Sequence, residues 1–484
     1  MKIQITNFKA ISKTQEFDLD NINIISGQNS GGKSSLIHAL LFLKQNIDDR
    51  HELDALKFNK PFLSLGRFED ITSKNHNNGV MKFSFIMERS EFYERHAYLG
   101  RKAKQLLDNV KKASYTVEFE SKRQNVGSRT YIRSIKISAT NFDNEEQYIE
   151  FNRTRGEEFL LNASDNFSHY YLIGNESNNT NITEARVKIS VGDFLLERTN
   201  IRITHNGDNI FLRLPVVDVV TRSIYNIFKN IYYIGPLRES PKNYYYFEDS
   251  GSSLVGTRGE YTPQFLAKNQ NNKIDYFKYE SDTATSSTIL SSTRYWICDF
   301  FKLASDINLE KDKNGVLYQV KLSLPNSSTK VSINNVGFGI SQILPIIVQS
   351  MALPYKSILI LEQPEIHLHP TVQAKLFDFL NSLHKNGVST IVETHSDHLI
   401  TRMRRRVAES ENGLEKIINL IFVEYSKEDN ETKYSKMSLD ELGNFNLWPD
   451  GFFDQYDQDV RAILKAQISK KKSQREKSKN LDKA

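Results

Sequence analysis

The chain has 484 residues, 39% hydrophobic and 25% charged, with one cysteine, Cys298. That length allows two or three domain-sized units, and that composition marks a folded chain rather than a disordered one. A lone cysteine excludes a disulfide framework or cysteine-rich zinc site and fits a reducing cytoplasm, and no apolar run approaches the roughly 18 residues of a membrane span, so no membrane partner is expected. The opening "MKIQITNFKAI" is strand-like and lacks a signal-peptide core. Residues 1–26 read as an edge hairpin feeding a buried strand, followed by a glycine-rich turn and the helical "KSSLIHALLFLKQNI".

Residues 91–113 read as one charged helix, and 114–215 as short alternating strands: either a β-rich insertion or part of an antiparallel sheet in the N-terminal lobe. Residues 216–310 read as mainly helical around a loop-like stretch, "YIGPLRESPKNYYYFEDSGSSLVGTRGEYT", with "SDTATSST" as a flexible connection. A further β stretch precedes an α/β unit at 335–425 with buried strands "SILIL" and "STIVET". The net charge of +5 sits at the end: from Lys465 to Ala484 there are eight Lys/Arg and two Asp/Glu, leaving 56 of 64 basic and 57 of 59 acidic residues elsewhere. This tail lacks apolar periodicity and is expected to be a disordered electrostatic handle. The divisions expected are an N-terminal lobe holding the glycine-rich turn (1–90), a helix plus β-rich segment (91–215), a connecting region (216–334), an α/β lobe with two buried strands (335–425), a C-terminal segment (426–464) and the tail (465–484).

"GQNSGGKS", Gly27, Gln28, Asn29, Ser30, Gly31, Gly32, Lys33 and Ser34, with Ser35 following, satisfies the P-loop pattern between a strand and a helix. Its backbone N–H groups curl round phosphates, Lys33 reaches the β- and γ-phosphates of ATP, and the Ser34 hydroxyl ligates Mg2+. In "SILILEQPEIHLHP", Glu362 ends a Walker B strand and would hold Mg2+ through water. Gln363 stands where a general base usually polarises the attacking water. Glutamine can orient water but not accept a proton as a carboxylate does. Losing a general base typically costs about 10²–10⁴-fold, so slow turnover is expected, with Glu365 the carboxylate able to substitute. "STIVETHSDHLI" places His395 at a strand's C-terminal end, facing the crevice where open α/β sheets bind ligands, as a γ-phosphate sensor.

These motifs, with "ITNFKAI", "VGFGISQ", "YIGPLRESP", "VGTRGEYT" and "WPDGFFDQ", make the chain resemble SMC/RecF/ABC-type ATPase heads. More closely, it is similar to bacterial SMC-like AAA-type ATPases with a C-terminal domain of unknown function, found in antiphage defence systems. The fold implied is α/β: a two-lobed ABC/SMC-type P-loop ATPase head with a β-rich middle region. The resemblance also implies an ATP-dependent homodimer, the signature of one head meeting the γ-phosphate held by the other. In the signature, Gly337 takes the place of the usual serine, with Gly339 after it; Ser341 or Asn335 would have to supply the missing hydroxyl or amide.

The function expected is a slow ATPase that dimerises on ATP and serves as sensor or regulator beside a separate nuclease or toxin. The alternatives are a RecF-like repair ATPase that clamps DNA itself and an ATP-controlled oligomeric scaffold. Nucleic-acid contact would fall to "RMRRRV", Arg402–Val407, or to Tyr244, Tyr245, Tyr246 and Phe247; the competing readings are an ion-paired helix and a lobe interface. Asp450, Asp454, Asp457 and Asp459 are weak candidates for a metal nuclease.

Overall fold

The runs INIIS, ILILE and STIVE are apolar on successive residues, the pattern of strands covered on both faces. In the computed structural model they lie side by side. The described residues are 1–471 except 48–55, 60, 73–78, 93–100, 124–127, 157, 165–171, 174–183, 190, 193, 197–199, 206–207, 247–253, 313–316, 325–328, 448 and 450–458. The central sheet runs Ile231–Ile234, Ile358–Glu362, Ser389–Glu393, Ile22–Gly27, Ile418–Ser426, all parallel, with Glu431–Met437 antiparallel at the edge. The Walker A strand therefore lies between the strand that leads to His395 and the C-terminal hairpin.

The two faces of this sheet feed two cores. On one, Ile25, Ile360, Ile391 and Val423 pack with helix Ser34–Ile47 and with Phe83 and Phe85 of a second sheet. On the other, Ile24, Leu361, Val392 and Phe422 pack with Ile343 and Ile347 of helix Phe338–Met351 and Phe379 of helix Pro370–Lys385. Helix Ser34–Ile47 is buried on nearly every side, so it is apolar all round rather than striped. The result is a two-lobed α/β head.

Among the described residues the second sheet has eleven strands, and it takes in the β-rich region. The N-terminal hairpin, Lys2–Thr6 with Gln15–Asp18, continues through Met81–Glu88 and Val110–Arg123 into the strands that follow, out to Asp208–Arg213 and Leu172–Ile173. The middle region is thus part of the antiparallel sheet of the ATPase lobe.

Four local expectations are corrected. Of the helix expected over 91–113, Glu91 and Phe92 close the short helix Arg89–Phe92 and Arg101–Asp108 is helical, but a strand begins at Val110 and pairs with Met81–Glu88. "SDTATSST" is ordered: Ala284–Thr288 pairs with Lys273–Phe277, and the Thr288 side chain caps the next helix by accepting from the Ser291 N–H. Among its described residues the stretch 216–310 mixes helices with strands at Ile231–Ile234, Tyr245–Tyr246, Lys273–Phe277 and Ala284–Thr288, and a further strand begins at Asp306. Residues 459–471 form an exposed helix, so the tail begins in regular structure; 472–484 lie outside the described residues, as do Asp450, Asp454 and Asp457. Among the described residues, no helix is long and apolar enough to cross a membrane.

Candidate nucleotide-binding site

Gly27, Glu362 and Glu393 end three neighbouring parallel strands, and the motifs converge at that C-terminal edge. The loop leaves the Walker A strand through Gly27, at φ +145°, where an added Cβ would meet the Val423 carbonyl oxygen at 1.9 Å. Gly32, at φ +102°, lies under Ala10, and Ser30 is also left-handed. Gln28, Asn29 and Ser30 form an exposed tip, whereas Gly31, Lys33 and Ser35 are buried. The Lys33 ammonium donates to the Gly27 carbonyl at 3.1 Å and to that of Gln28, and burial lowers its pKa. Ser34 opens the helix, and its hydroxyl donates to the Glu393 carboxylate.

Glu362 is 7% exposed and accepts from the Tyr233 hydroxyl at 3.2 Å. Burial first, and the neighbouring Glu393 carboxylate second, push its pKa up to about 7. Gln363 follows at φ +44°, an uncommon conformation for a residue other than glycine. Two bonds hold it there: its N–H donates to the Glu393 carbonyl at 2.8 Å, and Arg238 donates to its carbonyl at 3.4 Å. Arg238 also donates to the Glu362 carbonyl at 3.1 Å.

Glu365 is not poised in the open. It is 7% exposed, and one carboxylate oxygen accepts from the His395 N–H at 2.6 Å. Its other oxygen, Oε2, is buried without a hydrogen-bond partner, and burial raises the pKa of the carboxyl. Glu365 therefore ties the Walker B turn to the histidine loop. The His395 ring is exposed, while Ser396 caps helix Asp397–Glu409 by accepting from the Leu399 N–H at 3.2 Å. That cap ends the strand's approach and fixes where His395 emerges.

Gly337 is the N-cap of helix Phe338–Met351, exposed, with open space where a Cβ would stand. Gly339 faces inward, its Cβ position 3.5 Å from the His367 carbonyl oxygen. Ser341 is buried at 6% exposure, so of the two polar groups weighed for the signature only Asn335 is exposed. The basic stretch is ion-paired: Arg406 with Asp378 and Glu409 at 2.6 Å each, Arg405 with Glu409, and Arg404 donating to the Gly443 carbonyl. Tyr245 is buried and stacks on Tyr318, whereas Tyr244 and Tyr246 are exposed and Phe247 lies outside the described residues.

Four residues of this neighbourhood escape sequence reasoning: Glu393, Tyr233, Arg238 and Tyr434. The Tyr434 hydroxyl, on the C-terminal hairpin, donates to the Gly32 carbonyl at 2.9 Å. Only Glu393 had a usable signal, as an acid ending an otherwise apolar strand. The donor set suits Mg2+ with phosphate, since Mg2+ takes one or two carboxylates plus substrate oxygens rather than an all-protein cage. Here the Ser34 hydroxyl, Glu362 and a buried Glu393 oxygen without a hydrogen-bond partner share one edge.

A parallel sheet with a P-loop at its C-terminal edge and an acid ending the adjoining strands defines a P-loop ATPase head. Residues 1–400 match the AAA ATPase domain family, and the chain belongs to it; the protein is an ATPase. Residues 415–463 match a protein family of unknown function. No match was found among curated proteins. Solved structures similar to the chain include a SmcHead bound to the C-winged helix domain of ScpA (11% identity, TM-score 0.40, covering 90% of this chain and 98% of that one). Others are the SMC head domain from Thermotoga maritima (10%, 0.37, 90% and 98%) and a Pyrococcus furiosus Smc head bound to the C-terminal domain of ScpA (10%, 0.40, 90% and 96%).

Proposed function

We propose that the chain binds Mg-ATP at this edge, hydrolyses it slowly, and uses the ATP-bound state to join two heads as the sensor or regulator of a bacterial antiphage defence complex with a separate nuclease or toxin. The observation that carries this reading is the convergence of Lys33, Ser34, Glu362 and His395 on one sheet edge, with Gln363 in the base position. Lys33 and the loop N–H groups bind the phosphates, and Ser34 and Glu362 hold the cation, which when bound offsets phosphate charge. Gln363 orients water without taking its proton, and exposed His395 meets the γ-phosphate. A long-lived ATP state suits a switch more than a motor. The defence role rests on the family resemblance together with this slow chemistry.

The nucleotide part is tested by Lys33→Ala. Calorimetric titration with ATP should show binding lost while the melting temperature is kept; unchanged affinity would remove the site assignment. A RecF-like clamp has less support here, since Arg404, Arg405 and Arg406 are committed to intramolecular partners. Tight DNA binding by the purified chain alone would restore it.

A further inference from the structure

Glu393 is 4% exposed, and its side chain raises an electrostatic problem. It ends the strand directly beside Glu362, the two being paired in register. Paired residues of parallel strands present their side chains to the same face. That face carries Ile360 and Ile391 onto helix Ser34–Ile47, and Glu393 meets the start of that helix at Ser34. One Glu393 oxygen is engaged by the Ser34 hydroxyl, and Oε2 has no hydrogen-bond partner. Lys33 does not quench the pair by direct contact, because its ammonium donates to the Gly27 and Gln28 carbonyls. Two adjacent buried carboxylates with an orphaned oxygen repel one another and have lost water, a costly arrangement unless a cation joins them.

We infer that Glu393 is a second carboxylate for the divalent cation, completing a set with Ser34 and Glu362 that takes the cation before the nucleotide arrives; this rests on the Mg-ATP reading above. The Ser34 hydroxyl lies against Glu393, so the carboxylate sits on the side where that hydroxyl would meet the cation. With one carboxylate, Mg2+ would lean mainly on the phosphates; a second, with waters completing the shell, strengthens the protein's own share of the hold before the phosphates arrive.

The probe is Mn2+ without nucleotide, followed by loss of the free-ion electron paramagnetic resonance signal as full-length protein is added. Wild type should take up Mn2+, and Glu393→Gln should bind it at least tenfold more weakly. ATP affinity in EDTA should match between the two, and the melting temperature in EDTA should be no lower in the variant, which lacks the carboxylate repulsion. Lys33→Ala should still take up Mn2+ while failing to bind ATP, so failure of the cation set and failure of the nucleotide reading give different results. Equal Mn2+ uptake by wild type and Glu393→Gln would overturn the inference. So would weakened ATP binding in EDTA, which would make Glu393 a support of the loop. Loss of hydrolysis with Mn2+ uptake intact would also overturn it, making Glu393 a proton acceptor.

Discussion

Gln363 precedes a proline, a position that ordinarily favours extended backbone, yet it is left-handed at φ +44°. Holding a residue there costs on the order of 1–3 kcal/mol, offset by the Glu393 carbonyl and the Arg238 guanidinium. The backbone therefore aims this side chain whatever its chemistry, and Gln363→Glu should keep the aim while adding a proton acceptor. Phosphate release under Mg-ATP should rise at least tenfold, within the usual reach of general base catalysis of about 10²–10⁴-fold. A variant no faster than wild type would exclude position 363 as the missing base. A second residue-scale expectation concerns His38. The Lys9 ammonium donates to its Nδ1 at 2.6 Å, and burial with that charge lowers its pKa to about 4. The unfolded chain, with an ordinary histidine, takes up a proton near pH 6.5 that the folded chain refuses. Stability from this pair is therefore fully present above about pH 6.5 and is lost as pH falls toward 4. The melting temperature should drop over that window, and His38→Gln should flatten the drop; an unchanged slope would reject the pair as its source.

At the scale of elements, the C-terminal hairpin is the least expected neighbour of the P-loop. Its first strand accepts the Gln28 N–H through the Val423 carbonyl at 3.1 Å, and its second places Tyr434 on Gly32 and Thr432 beside it. The loop is thereby braced from a segment some 400 residues away in sequence. Tyr434→Phe removes the hydroxyl while keeping the ring against Phe17. A hydrogen bond of this kind contributes roughly 0.5–1.5 kcal/mol, so ATP affinity should fall by about twofold to tenfold with little change in melting temperature. Calorimetry on both proteins checks this, and equal affinities would show that the brace does not shape the bound loop. Such a contact is invisible in sequence, because nothing local marks Tyr434 as different from other alternating strand residues.

For the whole molecule, the proposed sandwich places the exposed start of helix Phe338–Met351 against a second head. Gly337 and Gly339 differ as probes. A large side chain at Gly339 would be driven into the His367 turn of its own chain, whereas Gly337 has open space around it. Gly337→Trp should thus leave the monomer and its ATP binding intact and abolish the ATP-dependent rise in mass seen by light scattering. An unaltered rise would exclude this geometry. The eleven-stranded sheet matters at the same scale, since it joins the N-terminal hairpin to the middle region as one body beside helix Ser34–Ile47.

The order of strand, glycine loop and helix, the acid ending the Walker B strand, and the histidine after a third apolar run are local signals, each readable from residue spacing alone. Periodicity carried the buried strands for the same reason: a strand covered on both faces has no polar alternation to hide it. The interpretation of "SDTATSST" failed because its composition is that of a loop, while pairing with Lys273–Phe277 turns its β-branched residues into a strand. Arg402–Val407 is open in sequence to two readings, a phosphate contact or an ion-paired helix; Glu409 on the same helix and Asp378 on another make it ion-paired. Glu365, Glu393, Tyr233, Arg238 and Tyr434 acquire meaning only when strands distant in sequence stand side by side, because a hydrogen bond or a pair of buried carboxylates is a property of distances between elements. The sequence by itself determined the candidate residues for phosphate and cation; only the tertiary structure brought Glu393 beside Glu362, through the register that pairs two strand ends distant in sequence.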